Sequence, residues 1–136
     1  MSKVSYGNIV DLLSKYSYTP AVAVIQLISL ISVYAAGMEI AIYHLPLIGS
    51  AITAHIYSAA IVVILGLLLF AAAMRTDSLM LKSLSLLNAL FCVIAAFEGL
   101  FYFGGYTFPI YAFGMGIGFL GVLFTNAGVI LYAIKH

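Results

Sequence analysis

Residues His55–Phe103 read HIYSAAIVVILGLLLFAAAM, then RTDSLMLK, then SLSLLNALFCVIAAFEGLFYF, so two apolar runs flank a short segment that contains Arg75 and Lys82. Each run has about 20 residues, the length that crosses ~30 Å of hydrocarbon at ~1.5 Å per residue. Neither run carries a Lys or Arg. The stretch therefore predicts two transmembrane helices joined by a short charged turn.

Similar apolar runs lie on both sides of this stretch. The sequence predicts an all-α integral membrane protein with four transmembrane helices in two hairpins, at about 20–43, 55–74, 83–103 and 111–134. Residues 20–136 then form one membrane domain. Residues 1–19 are predicted to form a short helix in the membrane interface, with apolar residues on one face. The alternative for this segment is a helix that docks on a partner subunit.

The composition excludes a soluble domain. Of the 136 residues, 65% are hydrophobic and 7% are charged, and the mean hydropathy is +1.23. A net charge of +1 gives no reason to expect a nucleic-acid partner. The sequence contains no Ser/His pairing motif, phosphate-binding loop or CxxC motif, so an independent enzyme is not expected.

The positions of the basic residues predict the orientation. The connections 44–54 and 104–110 contain no Lys or Arg. By the positive-inside rule, both termini and the middle loop are cytoplasmic, most simply in the cytoplasmic membrane. The basic residues on that side are Lys3, Lys15, Arg75, Lys82 and Lys135.

A weak internal repeat relates the two predicted hairpins. Glu39 near the end of the first span aligns with Glu98 near the end of the third, and a Tyr follows each of them four residues later, at Tyr43 and Tyr102. The match predicts a parallel tandem repeat of two hairpins. So short a match in apolar sequence also arises by chance, and both explanations stay open.

Glu39 and Glu98 are the only Asp, Glu, Lys or Arg residues inside the predicted spans. A charged side chain in hydrocarbon costs ~2.5 kcal/mol or more, so each Glu is expected to face the bundle interior, to be protonated or to have a partner. The sequence predicts a polar cluster in the outer leaflet, consisting of Glu39, Tyr43, His44, His55, Glu98 and Tyr102.

Three interpretations of this outer cluster remain. In the first interpretation, the carboxyls only hold the hairpins together through hydrogen bonds. Alternatively, His44 and His55 are weak candidates for metal ligands, or the cluster borders a haem, copper or quinone site, although the sequence requires no cofactor. In the third interpretation, Glu39 and Glu98 titrate during ion or proton transport.

A second polar layer is predicted toward the cytoplasm. Gln26, Asn88 and Asn126 fall at similar depths in their spans, and buried amides must be satisfied, so we expect them to hydrogen-bond with one another. In the fourth span, Gly114, Gly118 and Gly121 form a small-residue face for close helix packing. The sequence leaves open whether this face meets its own bundle or another chain.

These features predict a small accessory or structural subunit of a multi-subunit membrane complex, most specifically a respiratory oxidoreductase involved in electron transport. Its expected partners are other membrane subunits and lipids. The first alternative is a small ion- or proton-coupled transporter that uses Glu39 and Glu98. The second is a structural protein of an envelope membrane, which needs no functional site.

Overall fold

The computed structural model describes residues 18–43, 45–46 and 48–135. Within these ranges it contains α1 (Tyr18–Ile42), α2 (Ser50–Ala73), α3 (Leu79–Phe103) and α4 (Pro109–Lys135), and no strand. All four helices are long and apolar enough to cross a membrane. The predicted all-α fold with four membrane-spanning helices is confirmed. The interfacial helix predicted over 1–19 lies outside the described residues except for its last two, which belong to α1.

All four helices begin earlier than predicted. The difference is largest for α2 and α3, because local backbone signals rather than hydropathy set their starts. α2 begins at Ser50, directly after Gly49, whose φ of 102° suits a residue without a Cβ. α3 begins at Leu79, after Ser78, whose hydroxyl accepts a hydrogen bond from the Leu81 amide at 3.3 Å. This side-chain cap satisfies one of the amides that a helix start leaves without a partner.

The helices form a ring in which α1 and α3 each pack against α2 and α4. Consecutive helices run in opposite directions, as the short connections between them require. We call the end of the bundle that holds Arg75, Lys82 and Lys135 the basic end. The other end, where α1 and α3 finish, is called the far end.

The buried apolar side chains form two layers separated along the bundle axis. The layer nearer the basic end comprises Val22, Ala23, Leu69, Ala73, Leu81 and Val129. The layer nearer the far end comprises Leu30, Val62, Cys92 and Val122. Many other large apolar side chains point outward, such as Ile28 at 60% exposure and Phe124 at 71%. A surface of this kind suits contact with lipid or with other membrane helices.

Candidate functional site

The structure brings Gln26, Asn88 and Asn126 together between the two apolar layers. All three residues are 0% exposed, and they come from α1, α3 and α4. We call these three residues the amide cluster. Each lies along its helix between one residue of the first apolar layer and one of the second, as Gln26 lies between Ala23 and Leu30. The cluster is therefore enclosed above and below by hydrocarbon.

Hydrogen bonds connect the amide cluster across the bundle. Gln26 Nε2 donates to Asn88 Oδ1 at 2.9 Å and to the Val62 carbonyl oxygen of α2 at 3.2 Å. Asn126 Nδ2 donates to Gln26 Oε1 at 2.6 Å. Asn88 Nδ2 donates to Thr125 Oγ1 at 3.1 Å. These bonds involve all four helices, and such contacts between membrane helices are each worth ~1 kcal/mol.

Sequence reasoning missed two residues that complete the amide cluster, Gly66 and Thr125. A Cβ at Gly66 would lie 2.8 Å from Cys92 Sγ and 3.0 Å from Gln26 Nε2, so any larger residue of α2 at this position would have to displace these side chains. The Thr125 hydroxyl in turn donates a hydrogen bond to the Gly121 carbonyl oxygen at 2.6 Å. Gly66 could have been found from the sequence, because the rise per residue places it in α2 at the depth of the three amides.

The described residues of the predicted outer cluster lie in different surroundings. Glu39 is exposed on α1, and Tyr43 is 71% exposed just after that helix. Among the described members of the cluster, no side-chain hydrogen bond joins any two. His44 lies outside the described residues. The described side chains are therefore not joined by hydrogen bonds, and a shared cluster stays a prediction. Successive residues of a helix point about 100° apart, so a common depth does not give a common face.

His55 packs into the interface between α1 and α2. Its Nδ1 lies 3.1 Å from the Val33 carbonyl oxygen. Because a carbonyl oxygen only accepts, Nδ1 donates in this contact, and Nε2 is left as an acceptor in the neutral ring. The ring also meets Phe103 edge-on at 5.6 Å, and a Cβ at Gly37 would lie 3.1 Å from His55 Cε1.

Glu98 packs into a different interface, between α3 and α4. A Cβ at Gly114 would lie 2.7 Å from Glu98 Cδ, so the carboxyl occupies the space that the glycine leaves. Its Oε2 is buried, and no described residue provides a hydrogen-bond partner for it. Tyr102, one turn further along α3, contacts Phe103 edge-on at 5.3 Å instead of bonding to the carboxyl. Among the described members of the outer cluster, Glu98 alone has a buried side-chain oxygen without a hydrogen-bond partner.

The glycine face of α4 meets α3 of the same chain. Besides the contact between Gly114 and Glu98, a Cβ at Gly118 would lie 2.7 Å from Ala95 Cβ and one at Gly121 would overlap the Phe91 ring. These close approaches explain why α3 and α4 are the most closely packed pair of helices. The question that the sequence left open is thus answered in favour of the chain's own bundle.

The described residues offer little that would bind a metal or a polar substrate. They contain no group of three or more His, Cys, Asp or Glu side chains placed to hold a metal ion. A surface groove of about 230 Å³ lies between α2 and α3, lined by Val63, Val93, Ala96, Phe97 and Leu100. Since this lining is wholly apolar, the groove suits a hydrocarbon chain and not a charged molecule.

The two polar layers differ in what they can do chemically. The amide cluster has no ionisable member and its hydrogen bonds connect different helices, whereas the acids of the outer layer lie in two separate surroundings.

Comparison of the chain with protein families, with curated proteins and with solved structures gives no match.

Proposed function

We propose that this chain is a small accessory or structural subunit of a multi-subunit membrane complex. The observation that carries the proposal is the division of its polar groups. The interior amides bond to one another between two apolar layers, while Glu39 and Tyr43 point away from the bundle. A chain built in this way acts through contacts on its surface, because most polar atoms of its described interior already bond to one another.

A narrower form of this proposal is a subunit of a respiratory oxidoreductase in the cytoplasmic membrane, with the basic end at the cytoplasm. Energy-converting complexes recruit small helical subunits that consist almost entirely of membrane spans, and this chain has that composition. The positive-inside rule supports the orientation. On this proposal the outer Glu, His and Tyr residues contact a partner or border a quinone or metal site that the partner holds.

Purification of the tagged chain from its native membrane in mild detergent tests both forms. We expect it to elute in one large complex with other membrane proteins at fixed stoichiometry, as measured by size and mass spectrometry. Haem bands in the visible spectrum of that complex would support the respiratory form. A stable chain that purifies alone would contradict the proposal.

One observation favours the alternative of an ion-coupled transporter. Glu98 carries a buried oxygen without a described partner, as an ion- or proton-binding carboxyl would. Glu39 is exposed and does not share that surrounding, so only Glu98 is placed for such a role. Proton flux into liposomes that contain the purified chain would test this alternative. Transport requires that Glu98→Gln abolishes the flux while Glu39→Gln, the matched control, leaves it unchanged.

A further inference from the structure

Of the two acidic residues in the described membrane-spanning helices, Glu39 is the one that is exposed on the outer surface of the bundle. It lies in the last turn of α1, and its neighbour Ile40 is buried at 8% exposure. Ser32 and Ala35 are exposed on the same side of α1, about two turns and one turn before Glu39. We call these three residues the α1 face. The small side chains at 32 and 35 let another helix approach closely just below the carboxyl.

No Lys or Arg among the described residues lies near Glu39. Arg75, Lys82 and Lys135 all lie at the basic end, and the remaining two basic residues precede α1 in the sequence. From Tyr18 to Glu39 the helix rises by about 30 Å, so the basic end is almost a full membrane thickness away. Because the described part of the chain offers no such cation, we look for the Lys or Arg that pairs with this carboxylate in another molecule.

A second copy of this chain cannot supply that cation either. Copies inserted by the same rule have the same orientation, so the basic end of one copy lies beside the basic end of the other. At the depth of Glu39, the described residues of a second copy offer hydroxyl, imidazole and carboxyl groups but no Lys or Arg. Charge complementarity thus calls for a chain of different sequence.

We propose that the α1 face docks a transmembrane helix of a different subunit, which carries a Lys or Arg near its far-end boundary and pairs it with Glu39. The inference rests on the proposed function, because it names the partner surface of the accessory subunit. A cation beside Glu39 removes the cost of an ionised carboxylate at the edge of the hydrocarbon. The flat part of the α1 face brings the two helices close enough for that contact.

Photo-crosslinking in native membranes tests the inference on the full-length chain. A photoreactive amino acid replaces Ala35, and in a control it replaces Ala60, an exposed residue of α2. We expect the Ala35 probe to give an adduct with a transmembrane peptide of another protein that contains Lys or Arg at the depth of Glu39. Glu39→Gln should lower the adduct yield about tenfold, the loss expected for a charge-assisted contact. Glu98→Gln, at the matching position of the other hairpin, should leave the yield unchanged.

Charge exchange gives a second readout. Glu39→Lys should abolish the adduct, and changing the identified Lys or Arg of the partner to Glu should restore it in that background. Because Glu39 is exposed, neither of its variants should alter the folding of the isolated chain, and its thermal unfolding in detergent checks this. Ala35→Leu tests the flat surface without touching the charge, with Ala60→Leu as its control.

Several outcomes would overturn the inference. These are an adduct with a second copy of the chain, an adduct with lipid alone, equal yields with and without Glu39, and no recovery on charge exchange. A His44→Ala variant that loses the adduct as Glu39→Gln does would assign the pairing to the chain's own histidine. If the chain elutes in a complex but the Ala35 adduct is absent, only the inference fails. If it elutes alone, the proposed function fails as well.

Discussion

The two polar layers of the bundle differ in whether their side chains contact one another. In the amide cluster, Gln26, Asn88 and Asn126 converge from three helices and bond to one another with no exposure. About 20 Å further along α1, Glu39 faces outward, and Glu98 fills a separate gap beside Gly114. The comparison teaches that polar groups at one depth become a unit only when the helices turn them to the same side.

The chemistry of the side chains fits this difference. An amide in the middle of the hydrocarbon is always polar and must find hydrogen-bond partners inside the protein. A carboxyl near a helix end can become neutral by binding a proton, or it can reach a partner or the interface. The amide cluster therefore holds this bundle together, whereas Glu39 is available for contacts outside it.

The largest effect should come from removing the centre of the amide cluster. Gln26→Leu deletes the bonds to Asn88 and Asn126 and leaves buried polar atoms on both residues without partners. We expect the free energy of unfolding in detergent micelles to fall by about 2–4 kcal/mol. Ser29→Ala is the control, because that hydroxyl bonds only to the Ile25 carbonyl of its own helix. Equal effects from the two variants would show that the amide cluster does not stabilise the bundle.

A smaller loss is expected when the space beside the cluster is filled. Gly66→Ala places a methyl group 2.8 Å from Cys92 Sγ, so we expect destabilisation of about 1–3 kcal/mol in the same assay. Cys92→Ala in that background should recover part of the loss by making room. Gly116→Ala, where nothing lies within 4 Å, should be neutral or slightly stabilising. A neutral Gly66→Ala would contradict the described packing of α2 against the cluster.

In the outer layer, Gly114→Ala should have a weaker effect of about 1 kcal/mol. The new methyl group meets the flexible end of Glu98, which can move aside more easily than a bonded amide. Thermal unfolding of Gly114→Ala should therefore return close to the wild-type value when Glu98→Ala is added. If the second substitution brings no recovery, the carboxyl does not occupy the gap beside Gly114.

The smallest effect should come from Glu39→Gln in the isolated chain, within about 0.5 kcal/mol, because an exposed side chain far from the core contributes little. The two acids make no side-chain hydrogen bond to each other, so Glu39→Gln and Glu98→Gln should also be additive within about 0.5 kcal/mol. A double-mutant cycle in detergent measures this. A larger coupling energy would show that the acids interact and would erase the contrast between the layers.

The sequence was sufficient to predict the helices and the meeting of the amides. Length and hydropathy define four spans, and a rise of ~1.5 Å per residue places Gln26, Asn88 and Asn126 at one depth. Satisfaction of buried polar groups then favours a shared cluster. Depth and chemistry agree there, because an amide in the hydrocarbon has few alternatives.

The outer layer could not be predicted in the same way. A shift of one residue turns a side chain by about 100°, which decides whether Glu39 lies inside the bundle or on its surface. The partner of the glycine face depends on which helices are neighbours in the ring, and the pattern within α4 does not contain that information. The tandem repeat stays a prediction, and the aligned acids, Glu39 and Glu98, have different surroundings.

The contribution of all four helices to the amide cluster has a consequence for synthesis of the chain. Helices enter the membrane in order, and α4 brings Asn126 and Thr125 last. Until it arrives, Gln26 Oε1 and Asn88 Nδ2 lack the partners that they have in the finished bundle, at a depth where no water can replace them. A chain truncated before α4 therefore displays unpaired amides to the lipid, which distinguishes it from the completed protein for any membrane protease that surveys nascent chains.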